Sequence, residues 1–144
     1  MNIRHYSFED FQGCVELFIH VFNQEPWKDN WTQEKARQYL QDYIDTPGFK
    51  GVVADDINIK GFIMGIRKRW WSGDEFFINE MCVDTANQRS GVGTRLLDHL
   101  DNALKSEGIE RITLLTSKGV PAEQFYRKNG LSTIDDLIFM YKKI

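Results

Sequence analysis

Residues 75–116 constrain the fold more than any other part of this 144-residue chain. An apolar run, EFFINEMCV, ends at Val83. A turn holding Gly91 and Gly93 follows, and a helical pattern begins at once. Val92, Leu96, Leu97, Leu100, Ala103 and Leu104 recur at helical spacing and form one apolar stripe. Gly108 stands where a left-handed C-terminal cap is expected, and IERITLLTS then reads as a second strand. Strand, helix and strand in that order require a right-handed crossover with the two strands parallel in one sheet.

The rest of the chain supplies the neighbours. FKGVVADD, INIKGFIMGIRKRWW and DEFFINEMCV are rich in β-formers and separated by Asp55-Asp56 and Ser72-Gly73-Asp74, so they read as three antiparallel strands. Residues 2–6 form a short strand before them. Ser7 with Asp10 signals a helix start, and Phe11, Val15, Phe18 and Phe22 make that helix's apolar face. NQEPWKDNW breaks it at Pro26. Thr32 caps a second helix with Ala36, Tyr39, Leu40, Tyr43 and Ile44 on its buried face, ended by Thr46-Pro47-Gly48. A short helix begins near Pro121 and stops at Asn129-Gly130, and LIFMYKKI reads as a last strand. The expectation is one α/β (α+β) domain over 1–144: an open mixed sheet of about six to seven strands with helices on both faces.

Charge and cysteine usage narrow the function. A net charge of −3 and a pI of about 5.6 disfavour nucleic acid as the main partner and suit a cationic small substrate. Arg67-Lys68-Arg69 beside Trp70 and Trp71 reads as a solvated hairpin end. Cys14 and Cys82 have no metal-ligand spacing, nor do His5, His20 and His99, so no metal is expected. The opening MNIRHYSFEDF is too polar for a signal peptide, and no stretch approaches the 18 apolar residues of a membrane span. The expectation is a cytoplasmic protein with reduced thiols and no membrane partner.

The glycines at 91 and 93 remain to be explained. A P-loop needs Lys followed by Ser or Thr after its last glycine, and none is here. A dinucleotide fingerprint needs a third glycine where Leu96 stands. What is left, Gln88-Arg89-Ser90-Gly91-Val92-Gly93, is still a good anion site. The first N–H groups of a helix lack internal partners, the helix dipole is positive there, and Arg89 and Arg95 add charge. The same glycines would also serve a plain strand-to-helix turn, and spacing alone leaves both readings open.

This turn, after NEMCV, resembles motif A of the GNAT superfamily of acetyl-CoA-dependent N-acetyltransferases, whose pattern is Gln/Arg-x-x-Gly-x-Gly/Ala. PAEQFYRKNGL at 121–131 is similar to that family's A-x-x-F-Y-x-K-x-G-F segment, and the element order matches along almost the whole chain. The resemblance implies that Gln88, Arg89, Ser90, Gly91, Val92, Gly93 and Thr94 bind the coenzyme A pyrophosphate, most through backbone amides. It also implies that the central strands splay, so that Met81, Cys82 and Val83 meet the pantetheine arm. The Asn that many relatives carry after the strand ending near 116 is absent here; Thr116 or Ser117 is the candidate replacement.

Acetyl transfer to an amine asks for a base, an oxyanion donor and a proton for the departing thiolate. Glu80 is the candidate base. It sits on an apolar strand, where burial raises a carboxyl pKa, at the position that often carries the base in the family. Tyr126, on the Tyr of the family's Phe-Tyr pair, is the candidate acid. Glu25, Trp27, Asp29 and Trp31 combine acids and aromatic faces and are candidates for binding a cationic amine. The reading is transfer from acetyl-CoA to a primary amine of a small molecule or peptide in a ternary complex. The alternative is a coenzyme A-binding sensor without turnover. A homodimer through the C-terminal strand or the tryptophan hairpin is compatible with the sequence, which does not choose between them.

Overall fold

In a computed structural model, which describes every residue from Met1 to Ile144, the β-rich runs form one sheet. Its strands are β1 (Asn2–His5), β2 (Phe49–Asp56), β3 (Asn58–Lys68), β4 (Glu75–Val83) and β5 (Arg111–Leu114), in the spatial order β1-β2-β3-β4-β5. The first three pairings are antiparallel and β4–β5 is parallel. The helices are α1 (Phe11–Phe22), α2 (Gln33–Ile44), α3 (Val92–Ser106) and α4 (Pro121–Lys128). None of them is long and apolar enough to cross a membrane.

Strand alternation divides the core in two. Val53, Phe62, Met64 and Cys82 face α1 and α2, where they meet Cys14, Val15, Leu17, Phe18, Val21, Ala36 and Leu40. Val52, Ala54, Ile63, Phe76 and Ile78 face α3, under Val92, Leu96, Leu97, Leu100 and Leu104. Both faces are covered, so the middle strands are apolar at consecutive positions rather than at every second one.

Local signals set the helix ends. Thr32 Oγ1 accepts from the Lys35 N–H at 3.1 Å, and the Ser7 N–H donates to Asp10 Oδ2 at 2.8 Å. Asp10 is the one buried charged residue. Arg4 on β1 holds both of its oxygens at 2.8 Å and reaches Asp55 on β2 at 3.0 Å. This bidentate pair joins the sheet edge to the start of α1.

The expected last strand is not in the sheet. Residues 137–144, LIFMYKKI, pair with nothing, and the sheet has five strands rather than six to seven. A β-rich sequence becomes a strand only where a neighbouring edge supplies its ladder of hydrogen bonds. Here the chain turns after α4, with the Leu137 N–H on the Ile134 carbonyl at 3.3 Å, and the segment beyond is not laid against β5.

Candidate functional site

The site begins with one extra residue in β4. Met64 pairs with Glu80 but the next residue, Gly65, pairs with Ile78, so Asn79 is a bulge. By simple alternation Glu80 would follow Phe76 and Ile78 under α3. The bulge reverses the parity: Met81 and Val83 now pack on the α3 side, while Glu80 and Cys82 turn to the α1–α2 side. Gly65 makes room for this, since a Cβ there would lie 2.4 Å from both the Phe76 ring and the Phe77 carbonyl. Asn79 Oδ1 is buried without a protein donor.

Glu80 thus meets α2. Its Oε1 accepts a hydrogen bond from the Tyr39 hydroxyl, and Tyr43 lies behind Tyr39 with the two oxygens 3.5 Å apart. Burial pushes the Glu80 carboxyl up to about 7; the Tyr39 hydrogen bond opposes that rise and the Asp29 charge adds to it. Tyr39 is the residue that sequence reasoning missed as a functional group. Helical spacing puts it on the inner face of α2, and a buried phenol needs a partner. Which partner it finds depends on the bulge.

The four residues expected on the acceptor side divide. Trp31 packs edge-to-face on Phe18 and tilted on Tyr39, with centroids 4.9 and 5.0 Å away, and its indole N–H donates to Asp29 at 3.0 Å. Asp29 and Trp31 therefore belong to the surroundings of Glu80. Trp27 packs on Phe22 at 4.9 Å and closes the core beneath the loop. Glu25 lies on the surface in an ion pair with Lys28.

On the other side of β4 the sheet opens. β5 pairs with β4 from Glu75–Arg111 to Ile78–Leu114 and no further, so from Asn79 to Val83 β4 has a neighbour only in β3. This is the splay that the resemblance implied. Gln88 ties the turn to the strand end, its Nε2 donating to the Val83 carbonyl at 3.0 Å. Within the turn Arg89 and Gly91 both have positive φ, +66° and +88°. The N–H groups of Arg89, Gly91, Val92, Gly93 and Thr94 donate to no protein acceptor, and the first helical bond runs from the Arg95 N–H to the Gly91 carbonyl. Gly91 serves its left-handed backbone. Gly93 serves close packing, since a Cβ there would lie 2.9 Å from the Phe125 ring. Arg95 donates to the Met1 carbonyl at 3.2 Å, so of the two flanking cations only Arg89 is free of protein partners.

Tyr126 projects from α4. Burial, then the Glu80 charge, raises its phenol to about 12, so it stays protonated at neutral pH. Thr116 is exposed in the coil after β5. The donors of the turn, the open edge of β4, Glu80 and Tyr126 thus lie on adjoining elements. Five unpaired N–H groups at a helix start fit a diphosphate, and a strand edge without a partner fits an extended amide-bearing arm.

Comparison with known proteins bears on the family and the fold. Residues 13–131 match the model of the Acetyltransferase (GNAT) family. No curated protein matches the sequence. Among solved structures, a "possible acetyltransferase" from Clostridium difficile 630 is similar at 18% identity with a TM-score of 0.83, covering 99% of this chain and 97% of that one. An integron cassette protein from the mobile metagenome of V. cholerae is similar at 16% identity and TM-score 0.81, over 99% of this chain and 91% of the other. An aminoglycoside acetyltransferase from an uncultured soil metagenomic sample, solved with sisomicin, is similar at 20% identity and TM-score 0.77, over 99% and 95% of the two chains.

Proposed function

The chain belongs to the GNAT acetyltransferase family, and on that premise we propose that it transfers an acetyl group from acetyl-CoA to a primary amine on a small cationic molecule or peptide. The observation that carries the reading is the set of free N–H donors on Arg89, Gly91, Val92, Gly93 and Thr94 beside the open edge of β4, the Ser90 N–H being spent on the Asn87 carbonyl at 3.4 Å. Those amides and Arg89 would hold the pyrophosphate, and the Met81–Val83 backbone would hold the pantetheine. Acetyl-CoA would supply an activated thioester carbonyl.

The chain's own groups then have defined tasks. Glu80, poised near 7, takes a proton from the incoming ammonium, directly or through a water. A backbone N–H of 81–83 donates to the carbonyl oxygen as charge develops on it. Tyr126 delivers a proton to the departing sulfur. Asp29 and Trp31 stand next to Glu80 and attract the cation through charge and ring face. The aminoglycoside acetyltransferase among the similar structures supports a polyamine-like acceptor as the first class to try.

The test is a calorimetric titration with acetyl-CoA, with coenzyme A, ATP and NADH as controls, followed by a thiol-release screen over amines. Saturable binding of acetyl-CoA and coenzyme A alone, lost in a folded Gly91→Glu variant, is the expected result. Binding without thiol release for any amine would favour the sensor reading. No binding to the folded protein would remove the cofactor assignment.

A further inference from the structure

Toward the β3–β4 hairpin, the sheet face that carries Glu80 loses its cover. Met64, Ile66 and Lys68 alternate along β3 and so share that face, and their partners across the ladder are Glu80, Phe77 and Glu75. Ile66 and Phe77 are only half-buried and belong to neither core cluster. With Lys68 and the bulged Asn79 they line a cleft of about 190 Å³. A drug-sized ligand takes roughly 300–1,000 Å³, so this cleft holds part of a molecule rather than all of one.

Two polar groups of the cleft have no use inside the protein. Lys68 has no carboxylate partner: Asp74 is bound by Arg67 at 2.6 Å and Glu75 by Arg111 at 2.8 Å. Its Nζ stands 5.8 Å from the centre of the Phe77 ring, over the apolar floor. Asn79 Oδ1 is buried with no protein donor, which leaves the amide unheld at that atom and able to turn to a bound N–H. From Met64, opposite Glu80, to Ile66 and Lys68 is about 7 and 13 Å of strand.

We infer that this cleft is an acceptor subsite for a primary amine that carries a carboxylate roughly 7–13 Å from its nitrogen. The ammonium lies at Glu80, an apolar segment on Ile66 and Phe77, an N–H on Asn79 Oδ1, and the carboxylate on Lys68. An extended peptide advances about 3.3–3.6 Å per residue, so a tripeptide with an apolar middle residue and a free C-terminus has these parts in order. A polyamine fits worse, because a second ammonium meets the Lys68 cation. The subsite rests on the acetyl-transfer reading and narrows its acceptor: the peptide nitrogen gains the acetyl group as coenzyme A leaves with its sulfur protonated.

The experiment compares thiol release from acetyl-CoA with the tripeptide Gly-Leu-Gly, the same peptide amidated at its C-terminus, and spermine. Binding of each is also measured by calorimetry in the presence of coenzyme A. The free acid is expected to exceed the amide by about 10-fold or more in kcat/KM, mostly through KM, as a charge-assisted contact predicts. Lys68→Glu should abolish that preference and improve spermine. Lys68 is exposed and outside both cores, so the variant should fold. Equal use of acid and amide would overturn the subsite. So would spermine preferred to the acid, or a preference that Lys68→Glu leaves unchanged; acetyl transfer itself would survive all three. If coenzyme A binds but no amine releases thiol, calorimetry decides. Tighter binding of the acid than of the amide, lost in Lys68→Glu, would support the subsite, and equal or absent binding would overturn it. No acetyl-CoA binding to the folded protein would remove both readings.

Discussion

At the scale of single residues, the Glu80 carboxyl is where the physics is most exposed to test. Its pKa rises from an ordinary 4.5 to about 7 because burial penalises the charge. The folded state therefore binds this proton more tightly than the unfolded chain. The stabilising contribution is complete below about 4.5 and is lost as pH rises to about 7, a span worth on the order of 3 kcal/mol. Glu80→Gln should flatten that fall in a series of melting curves from pH 4 to 8. The same variant should lose about 100-fold in kcat, with the rising limb of the pH–rate profile gone. Unchanged turnover would remove the base assignment. Two neighbours should move the limb in opposite directions. Tyr39→Phe removes a hydrogen bond that holds the carboxylate down, so the limb shifts to higher pH; Asp29→Asn removes a repelling charge, so it shifts lower. A pH–rate series on both variants reads the signs directly. The types of these residues were legible in the sequence, as an acid on an apolar strand and a tyrosine on a helix's inner face. Their contact was not.

At the scale of elements, the bulge in β4 and the turn after it position the groups of the proposed site. Gly65→Ala would drive a Cβ into the Phe76 ring, which is fully buried, and into the Phe77 carbonyl, which is fixed in the strand backbone. We expect a loss of about 3 kcal/mol or more in chemical denaturation, together with a pH–rate profile no longer set by Glu80. A well-folded, fully active Gly65→Ala protein would show that the bulge does not need this glycine. The Arg4–Asp10 pair behaves differently. Arg4→Met would leave a buried carboxylate without its partner and should cost about 3 kcal/mol at neutral pH. The Arg4 guanidinium holds Asp10 below the usual carboxylate range, so the pair's contribution is present at neutral pH and fades as acid protonates Asp10. The stability gap between the variant and the parent protein should therefore narrow in acid. Of these elements, three long strands, the caps at Ser7 and Thr32 and the glycine turn could be read in advance. The bulge could not, because an inserted residue is defined only by the strand opposite it.

At the scale of the whole molecule, the sheet separates two cores, and the proposed cofactor side lies where β4 and β5 part. A ligand held across that opening joins α3 and β4 and should raise the unfolding temperature of the entire domain. At 100 times its dissociation constant acetyl-CoA would add about 2.7 kcal/mol, or roughly 5–10 °C for a chain of this size. Differential scanning calorimetry with and without acetyl-CoA measures it, and no shift at saturating ligand would remove the cofactor assignment. The sequence by itself determined the element types, their order and the crossover from β4 through α3 to β5, because these depend on periodicity and turn residues a few positions apart. It also indicated that the first amides of α3 stand free, since a helix start leaves its first N–H groups without internal partners; that the Ser90 N–H is spent on the Asn87 carbonyl came only from the structure. Only the tertiary structure decided that Glu80 turns to α2 rather than α3, that Tyr39 meets it, and that Arg95 serves Met1. The tertiary structure likewise left LIFMYKKI outside the sheet. Each of those outcomes depends on which distant segment lies alongside, and a strand or a buried polar group acquires its role only from that neighbour.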